Sequence, residues 1–347
     1  MRANVTRRPI LSTVTRISDL DSKPFRIEAC PREIWATGDY VACEVIGSLS
    51  AQLELELPSG RMSRIMEGDL VVGAFGTRMA TLEGVGDWQA IGDDLELHAL
   101  TSAGLFGKAT SVSPLLRPFT ELRYRGHVLR DSKVTMGEFV EPVEAAPLDM
   151  PVILLVGTSM SAGKTSSGRT IIHELKRKGL KVAAAKLTGA ARYRDVLSFG
   201  DAGADHVFDF VDIGLPSTVC PEREFREKLA QLLSRIAGTE ADVLVAEAGA
   251  SPLEPYNGAV AVEMLEGNVA MMVLSASDPY AVLGVQQAFS RKPDIVCGPA
   301  ANTDAGIELV KKLCGVPALN LLRRSSLSPL RAVLAEKLDD FAGAEAL

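Results

Sequence analysis

Residues 152–169, VILLVGTSMSAGKTSSGR, constrain the fold of this chain more than any other stretch. An unbroken apolar run ends at Gly157, small polar residues follow, and Gly163-Lys164-Thr165 opens a segment of helix length. That order predicts a buried strand, a tight turn and a helix in direct succession. The small residues of the turn (Gly157, Thr158, Ser159, Met160, Ser161, Ala162 and Gly163) let successive backbone N–H groups turn inward around an anion. The N-terminus of the following helix adds its dipole. In such a loop Lys164 neutralises the terminal phosphates, the Thr165 hydroxyl ligates Mg²⁺, and Ser166 continues the first turn of the helix. Two departures from the usual pattern stand out: five residues rather than four separate Gly157 from Gly163, and Thr158 stands where glycine is common.

The rest of this half obeys the same grammar. VILLVG, KVAAAK, DVLVAEAG, VAMMVLSAS, DIVCG and PALNLL read as buried strands. They alternate with helices expected near 164–178, 222–237, 280–290, 303–314 and 327–341. Apolar strands alternating with helices predict a parallel sheet covered on both faces. Ligands in such sheets bind beyond the carboxyl ends of the strands. The fold class is therefore α/β, a parallel-sheet P-loop NTPase domain over 146–347.

Residues 1–145 differ. DYVACEVIG, AQLELELP, DLVVGAFG and DLELHAL read as short strands, punctuated by the pairs Gly38-Asp39, Gly68-Asp69, Gly86-Asp87 and Gly92-Asp93. AQLELELP alternates apolar and polar residues, the signature of a half-buried strand. A β-rich N-terminal domain, a small barrel or sandwich, is expected. The proline-bearing segment FVEPVEAAPLDMP is the expected linker, near 140–150.

The chain has 347 residues, 47% hydrophobic and 23% charged, with a net charge of −7. It has no basic domain or stripe, so a nucleic-acid partner is not expected. Cys30, Cys43, Cys220, Cys297 and Cys314 form no CxxC pair and are expected as reduced, buried thiols. His98, His127, His173 and His206 make no zinc-type ligand spacing. No apolar stretch approaches the roughly 20 residues of a membrane span, and the start has no signal-peptide core. The expectation is a cytoplasmic protein with a small-molecule substrate, no membrane partner, and a homodimer as the first guess at assembly.

At this point the motifs resemble two related groups. The spaced GT…GKT loop is similar to that of dethiobiotin synthetase and its relatives, which include cobyrinic acid amidases. KVAAAKLTGA resembles the Lys-Pro-x-x-(Ser)-Gly element of that family, and DVLVAEAGAS its strand ending in Glu-Gly-Ala-Gly. The resemblance implies that Lys186 faces substrate and phosphate, and that Glu247 serves the metal. A lone carboxylate at the end of a buried strand is, independently, where a magnesium ligand belongs. AEAGASPLEPYNGAVAVEML, LSASDPY and GPAANTDAG resemble the C-terminal domain of P-loop proteins related to D-glutamate N-acetyltransferase, with Glu254 in place of a histidine. Together the two resemblances cover about 151–320.

Further candidates come from the residues that follow the strands. Asp195, Asp201, Asp205, Asp209 and Asp212 crowd one segment, and Asp209 is taken as a second metal carboxylate with Asp212 beside it. His206 is weighed as a proton-transfer group against a packed or solvent-facing imidazole. Arg192 and Arg194 are candidates to clamp a substrate carboxylate or phosphate. Tyr256 and Asn257 are placed toward substrate, though Pro-Tyr-Asn-Gly is equally a plain turn. Asp278 is a substrate or metal contact, or a turn starter. Asn302 and Thr303 are base-recognising groups, or the cap of the next helix. Three functions fit. The favoured one is a kinase- or ligase-like enzyme that uses Mg-ATP to phosphorylate or activate a small metabolite, such as a carboxylate, with Lys164 and Lys186 as its catalytic cations. The others are an acyltransferase gripping the phosphates of coenzyme A, and a regulatory or assembly NTPase.

Overall fold

Six strands of the C-terminal half are β1 (Val152–Gly157), β2 (Val182–Thr188), β3 (His206–Asp209), β4 (Val243–Ala248), β5 (Val269–Ser275) and β6 (Ile295–Cys297). In the computed structural model they form one sheet in the order β3-β2-β4-β1-β5-β6, every pair parallel. The structure describes residues 8–47, 54–249, 251–289 and 291–345. The strands are apolar because both faces are covered. All residues of β1, β2 and β4 are buried, Lys186 and Glu247 included. Seven helices connect or follow them: α1 (Lys164–Arg177), α2 (Tyr193–Asp201), α3 (Glu222–Ala237), α4 (Gly258–Met264), α5 (Pro279–Phe289), α6 (Asp304–Cys314) and α7 (Leu327–Glu345). Ile171, Ile172 and Leu175 of α1 and Leu330 and Leu334 of α7 pack with Ile153, Leu155, Val245 and Val273 in one apolar core.

Three expectations change. PALNLL forms no strand; Ala318 makes a single parallel bridge to Val296, and the chain turns away at Asn320. Helices α2 and α4 go beyond the expected set, because each is short and glycine-flanked. The strand β3 is an edge strand of four residues, too brief for periodicity to reveal.

Contacts within the chain divide it into two units. The first comprises residues 1–142 together with 190–194 and 210–219; the second comprises 143–189, 195–209 and 220–347. No single cut in the sequence expresses this division, because two segments after β2 and β3 cluster with the N-terminal residues.

In the first unit, strands Leu70–Phe75, Tyr40–Val45, Thr120–Leu129, Glu96–Ala99 and Leu105–Val112 pair in that order, and the last pairs back to the first in parallel, closing a five-strand ring. Alternate residues Val41, Cys43 and Val45, Val71 and Phe75, and Leu122 and Tyr124 fill its core with Trp35 and Phe106. Of the alternating run AQLELELP, residues 51–53 lie outside the described residues, as do residues 1–7 of the chain's start. The remainder, Glu54–Glu56, is a strand. Within the barrel, Tyr124 Oη lies 2.6 Å from His127 Nδ1, and His127 Nε2 lies 3.2 Å from Asp39 Oδ2. Lys133 donates to the same carboxylate oxygen at 2.8 Å. This buried chain satisfies both imidazole nitrogens.

Candidate functional site

The loop from Gly157 to Gly163 does what its residues foretell, and its two departures have local causes. Thr158 N–H donates to Ser275 O at the end of β5, and its hydroxyl accepts from Ser277 N–H at 3.1 Å. Threonine at this position therefore clips the loop to the chain leaving β5, a bond glycine cannot make. Ala162 N–H closes a turn on Ser159 O, which takes up the extra residue. Gly163 sits at φ +96°, a left-handed conformation that favours glycine, and hands the chain to α1. Gly298, at φ +78°, backs the loop so closely that a Cβ there would lie 2.4 Å from Ala162 O.

Lys164 is the first residue of α1 and is 1% exposed. Its ammonium folds back over the loop and donates to Ser159 O at 2.6 Å. A Cβ on Gly157 would meet Lys164 Nζ at 2.7 Å, so the glycine is required by the lysine that lies on it. Burial pushes the Lys164 ammonium down to about 8, and nearby Lys186 adds to the shift, while Glu247, Glu254 and Asp195 oppose it. The N–H groups of Lys164, Thr165 and Ser166 open the helix and have no intrahelical acceptor, so they are available to an anion.

Across the sheet, register sets Asp209, Lys186, Glu247 and Leu155 side by side on adjacent strands. Neighbours in register share one face, so an acid, a base and an acid share that face. Lys186 is 3% exposed, and its ammonium donates to Asp195 Oδ2 at 3.0 Å. Burial works against the charge on Lys186, but Asp195, Glu247 and Asp209 outweigh it and hold the ammonium above its ordinary range. The Thr165 hydroxyl donates to Glu247 Oε2 at 3.0 Å, and Glu247 is 3% exposed. Thr165 and Glu247 thus meet as a metal pair should.

Asp209 does not join them. Lys186 occupies the strand between Asp209 and Glu247, and two strand spacings of about 4.8 Å keep the carboxylates roughly 10 Å apart at the backbone. Among the described residues no group of three or more Asp, Glu, His or Cys side chains forms a metal cluster, which fits a cation held by one carboxylate, a hydroxyl and ligand oxygens.

The other candidates resolve one by one. Asp195 contacts Lys186, whereas Asp205 pairs with Lys176 and accepts from Val182 N–H. Asp212 pairs with Arg16 in the first unit, away from the row of charges. Asp201 and His206 are exposed. Arg192 and Arg194 are also exposed and cluster with the first unit, so neither clamps a ligand at the loop. Tyr256 is wholly buried, and Asn257, at φ +58°, donates from Nδ2 to Cys220 O. Both serve the turn before α4.

Asp278 accepts from Tyr280 and Ala281 N–H and caps α5. Thr303 accepts from Gly306 N–H and caps α6, while Asn302 is exposed and lends its carbonyl to Asn320. Glu254, whose neighbours in sequence suggested a substituted histidine, accepts from Ser251 N–H at 2.8 Å and closes the loop after β4. Sequence reasoning groups Asp195 with its neighbours and gives Glu254 no role. The only available signal for Asp195 is its place in the first turn of a helix too short to expect.

No family model matches the chain, and no curated protein matches it. Among solved structures it is similar to chloroplast FtsY from Physcomitrella patens, at 15% identity over 51% of this chain and 59% of that one, with a TM-score of 0.36. A DUF1611 family protein from Anabaena variabilis aligns at 15% identity over 57% of this chain and 61% of that one, with a TM-score of 0.36. HypB from Helicobacter pylori, solved in complex with nickel, aligns at 19% identity over 55% of this chain and 88% of that one, again with a TM-score of 0.36. The chain thus spans about three fifths of the first two structures. These likenesses do not extend the motif resemblance over 151–320 to a dethiobiotin synthetase-like activity, and the residue roles rest on the geometry above. Among the described residues no helix is long and apolar enough to cross a membrane.

Proposed function

We propose that the second unit binds a magnesium nucleotide at the 157–165 loop and transfers its terminal phosphoryl group to a small acceptor. The observation that carries this reading is the Thr165–Glu247 hydrogen bond at the foot of the loop. A phosphate chain beside a buried carboxylate is repelled unless a cation lies between them. Hydroxyl and carboxylate together supply the hard oxygen ligands that Mg²⁺ takes alongside phosphate oxygens and water. The same pair favours a nucleotide with Mg²⁺ over coenzyme A, whose phosphates need no metal at that point.

When bound, Mg²⁺ neutralises charge on the phosphate oxygens. The chain's own part is positioning and charge. Lys164 leaves Ser159 O to meet the terminal phosphates, and the first N–H groups of α1 orient them. Lys186, kept charged by Asp195, faces the developing negative charge from the neighbouring strand. Such transfer asks little covalent chemistry of the protein and much of its electrostatics. ATP is the proposed nucleotide.

The test is thermal unfolding of wild type and Lys164→Ala with Mg-ATP, Mg-GTP and acetyl-CoA. Ligand at 100 times its Kd adds about 2.7 kcal/mol to what binds it. A Mg-ATP shift that vanishes in Lys164→Ala and without Mg²⁺ is the expected result. A shift with Mg-GTP alone changes the nucleotide and keeps the mechanism. A shift with acetyl-CoA alone, indifferent to Mg²⁺, overturns the reading.

A further inference from the structure

One buried carboxylate stands apart from the row of charges. Glu56 ends the strand Glu54–Glu56, where strict alternation expects a solvent-facing acid, yet it is 0% exposed. Its backbone is pinned on both sides: its N–H donates to Ser102 O at 2.8 Å, and its carbonyl accepts from the Thr13 hydroxyl at 2.9 Å. The carboxylate itself accepts from Tyr193 N–H at 3.0 Å and from Arg194 N–H at 2.7 Å, one on each oxygen. These are the first two residues of α2. The residues before them, Ala191 and Arg192, offer no side-chain cap. Removing a carboxylate from water costs several kcal/mol, and here two charge-assisted bonds and the positive end of a helix offset that cost.

Tyr193 and Arg194 cluster with the first unit, so this capping bond lies inside it; Asp195 and Lys186 belong to the second. The peptide bond between Arg194 and Asp195 joins the two contacts. Asp195 is the third residue of the same helical turn, and it holds the Lys186 ammonium at 3.0 Å.

We infer that Glu56 is a positioning residue for the phosphate site: it fixes the first turn of α2, and that turn sets where Asp195 meets Lys186. The inference rests on the phosphoryl-transfer reading for its consequence in turnover, and on the contacts alone for its structural part. Lys186 has carboxylates on both flanking strands. Once Asp195 loosens, its ammonium turns toward Glu247 and competes with the cation that Glu247 serves. Nucleotide binding at Lys164 survives that change, and transfer does not.

The experiment compares Glu56→Ala, Glu56→Gln, Asp195→Asn and the double variant Glu56→Ala/Asp195→Asn. Binding of Mg-ATP is measured by calorimetry with a non-hydrolysable analogue, turnover by phosphate release from Mg-ATP, and stability by urea unfolding. Expected is a Kd within about threefold of wild type in every variant, while kcat falls at least tenfold in Glu56→Ala and in Asp195→Asn. The double variant falls no further than Asp195→Asn, because both changes break one connection. Glu56→Gln keeps one acceptor oxygen and recovers part of the rate; it also decides the matter should Glu56→Ala fail to fold. A Glu56→Ala protein that is less stable but turns over like wild type overturns the inference, as does a double variant whose losses multiply. If wild type binds no nucleotide, the functional reading fails by itself. Urea unfolding then still decides: non-additive destabilisation by the two single changes supports the connection, and additive destabilisation sinks it.

Discussion

Two glycines near the site carry different burdens, and substitution separates them. At Gly157 an added Cβ meets only the flexible end of Lys164, at 2.7 Å from Nζ and 2.9 Å from Cδ. At Gly249, just after Glu247, it meets the Thr188 carbonyl oxygen at 2.0 Å, a backbone atom that cannot swing aside. Gly157→Ala is therefore expected to leave stability within about 1 kcal/mol of wild type, since a side chain can yield. It weakens Mg-nucleotide binding roughly tenfold or more, because a displaced ammonium forfeits a charge-assisted contact of about 1.5–3 kcal/mol. Gly249→Ala is expected to cost about 1–3 kcal/mol or more of folding stability. Urea unfolding and calorimetric titration of both variants check the contrast; equal effects on binding and folding would contradict it.

At the scale of elements, helix starts in the second unit are set by local chemistry. Asp278 caps α5 through Tyr280 and Ala281 N–H, and Thr303 caps α6 through Gly306 N–H. The Ala281 N–H bond, helped by Ser277 and Tyr280, holds the Asp278 carboxyl below its usual range against partial burial. The sign follows from that depression. The ionised cap contributes its full stability above the unfolded carboxyl value of about 3.9, and loses it as pH falls through the lower folded value. Asp278→Ala is expected to lose about 1 kcal/mol near pH 7. The gap between variant and wild type should narrow below about pH 4; thermal melts from neutral pH into acid measure it, and a gap that widens in acid would refute the cap. α2 is the exception among these helices, since its cap comes from Glu56, far away in sequence.

For the molecule as a whole, burial rather than bonding governs the cysteines. All five are free, and Cys43 and Cys297 are fully buried. Burial pushes both thiols up, Cys297 to about 12. With no disulfide to break, reductant is expected to leave Tm unchanged within about 1 °C. Alkylating reagents should label Cys43 and Cys297 only once denaturant opens the chain, as mass spectrometry of timed samples would report. Labelling of either at native rates comparable to the half-buried Cys30 would show that these cores open locally.

What the sequence determined by itself is what short-range physics controls. Gly157, Gly163, Lys164 and Thr165 announce strand, loop and helix because those steps follow one another along the chain. The apolar runs at 152–157, 182–188 and 243–248 announce a two-sided sheet for the same reason. Glu247 is legible because a charge at the end of such a run adds nothing to packing and must meet a cation or a donor to stay buried. The tertiary structure decided everything that depends on which strand lies beside which. Strand order put Lys186 between Asp209 and Glu247 and so removed Asp209 from the metal pair. The fold of 190–194 and 210–219 onto the first unit took Arg192, Arg194 and Asp212 from the ligand and brought Glu56 to α2. A carboxylate buried beside a lysine or a helix end looks, in sequence, like any solvated acid. Only the partner across space offsets the cost of its burial, and a sequence does not record distance.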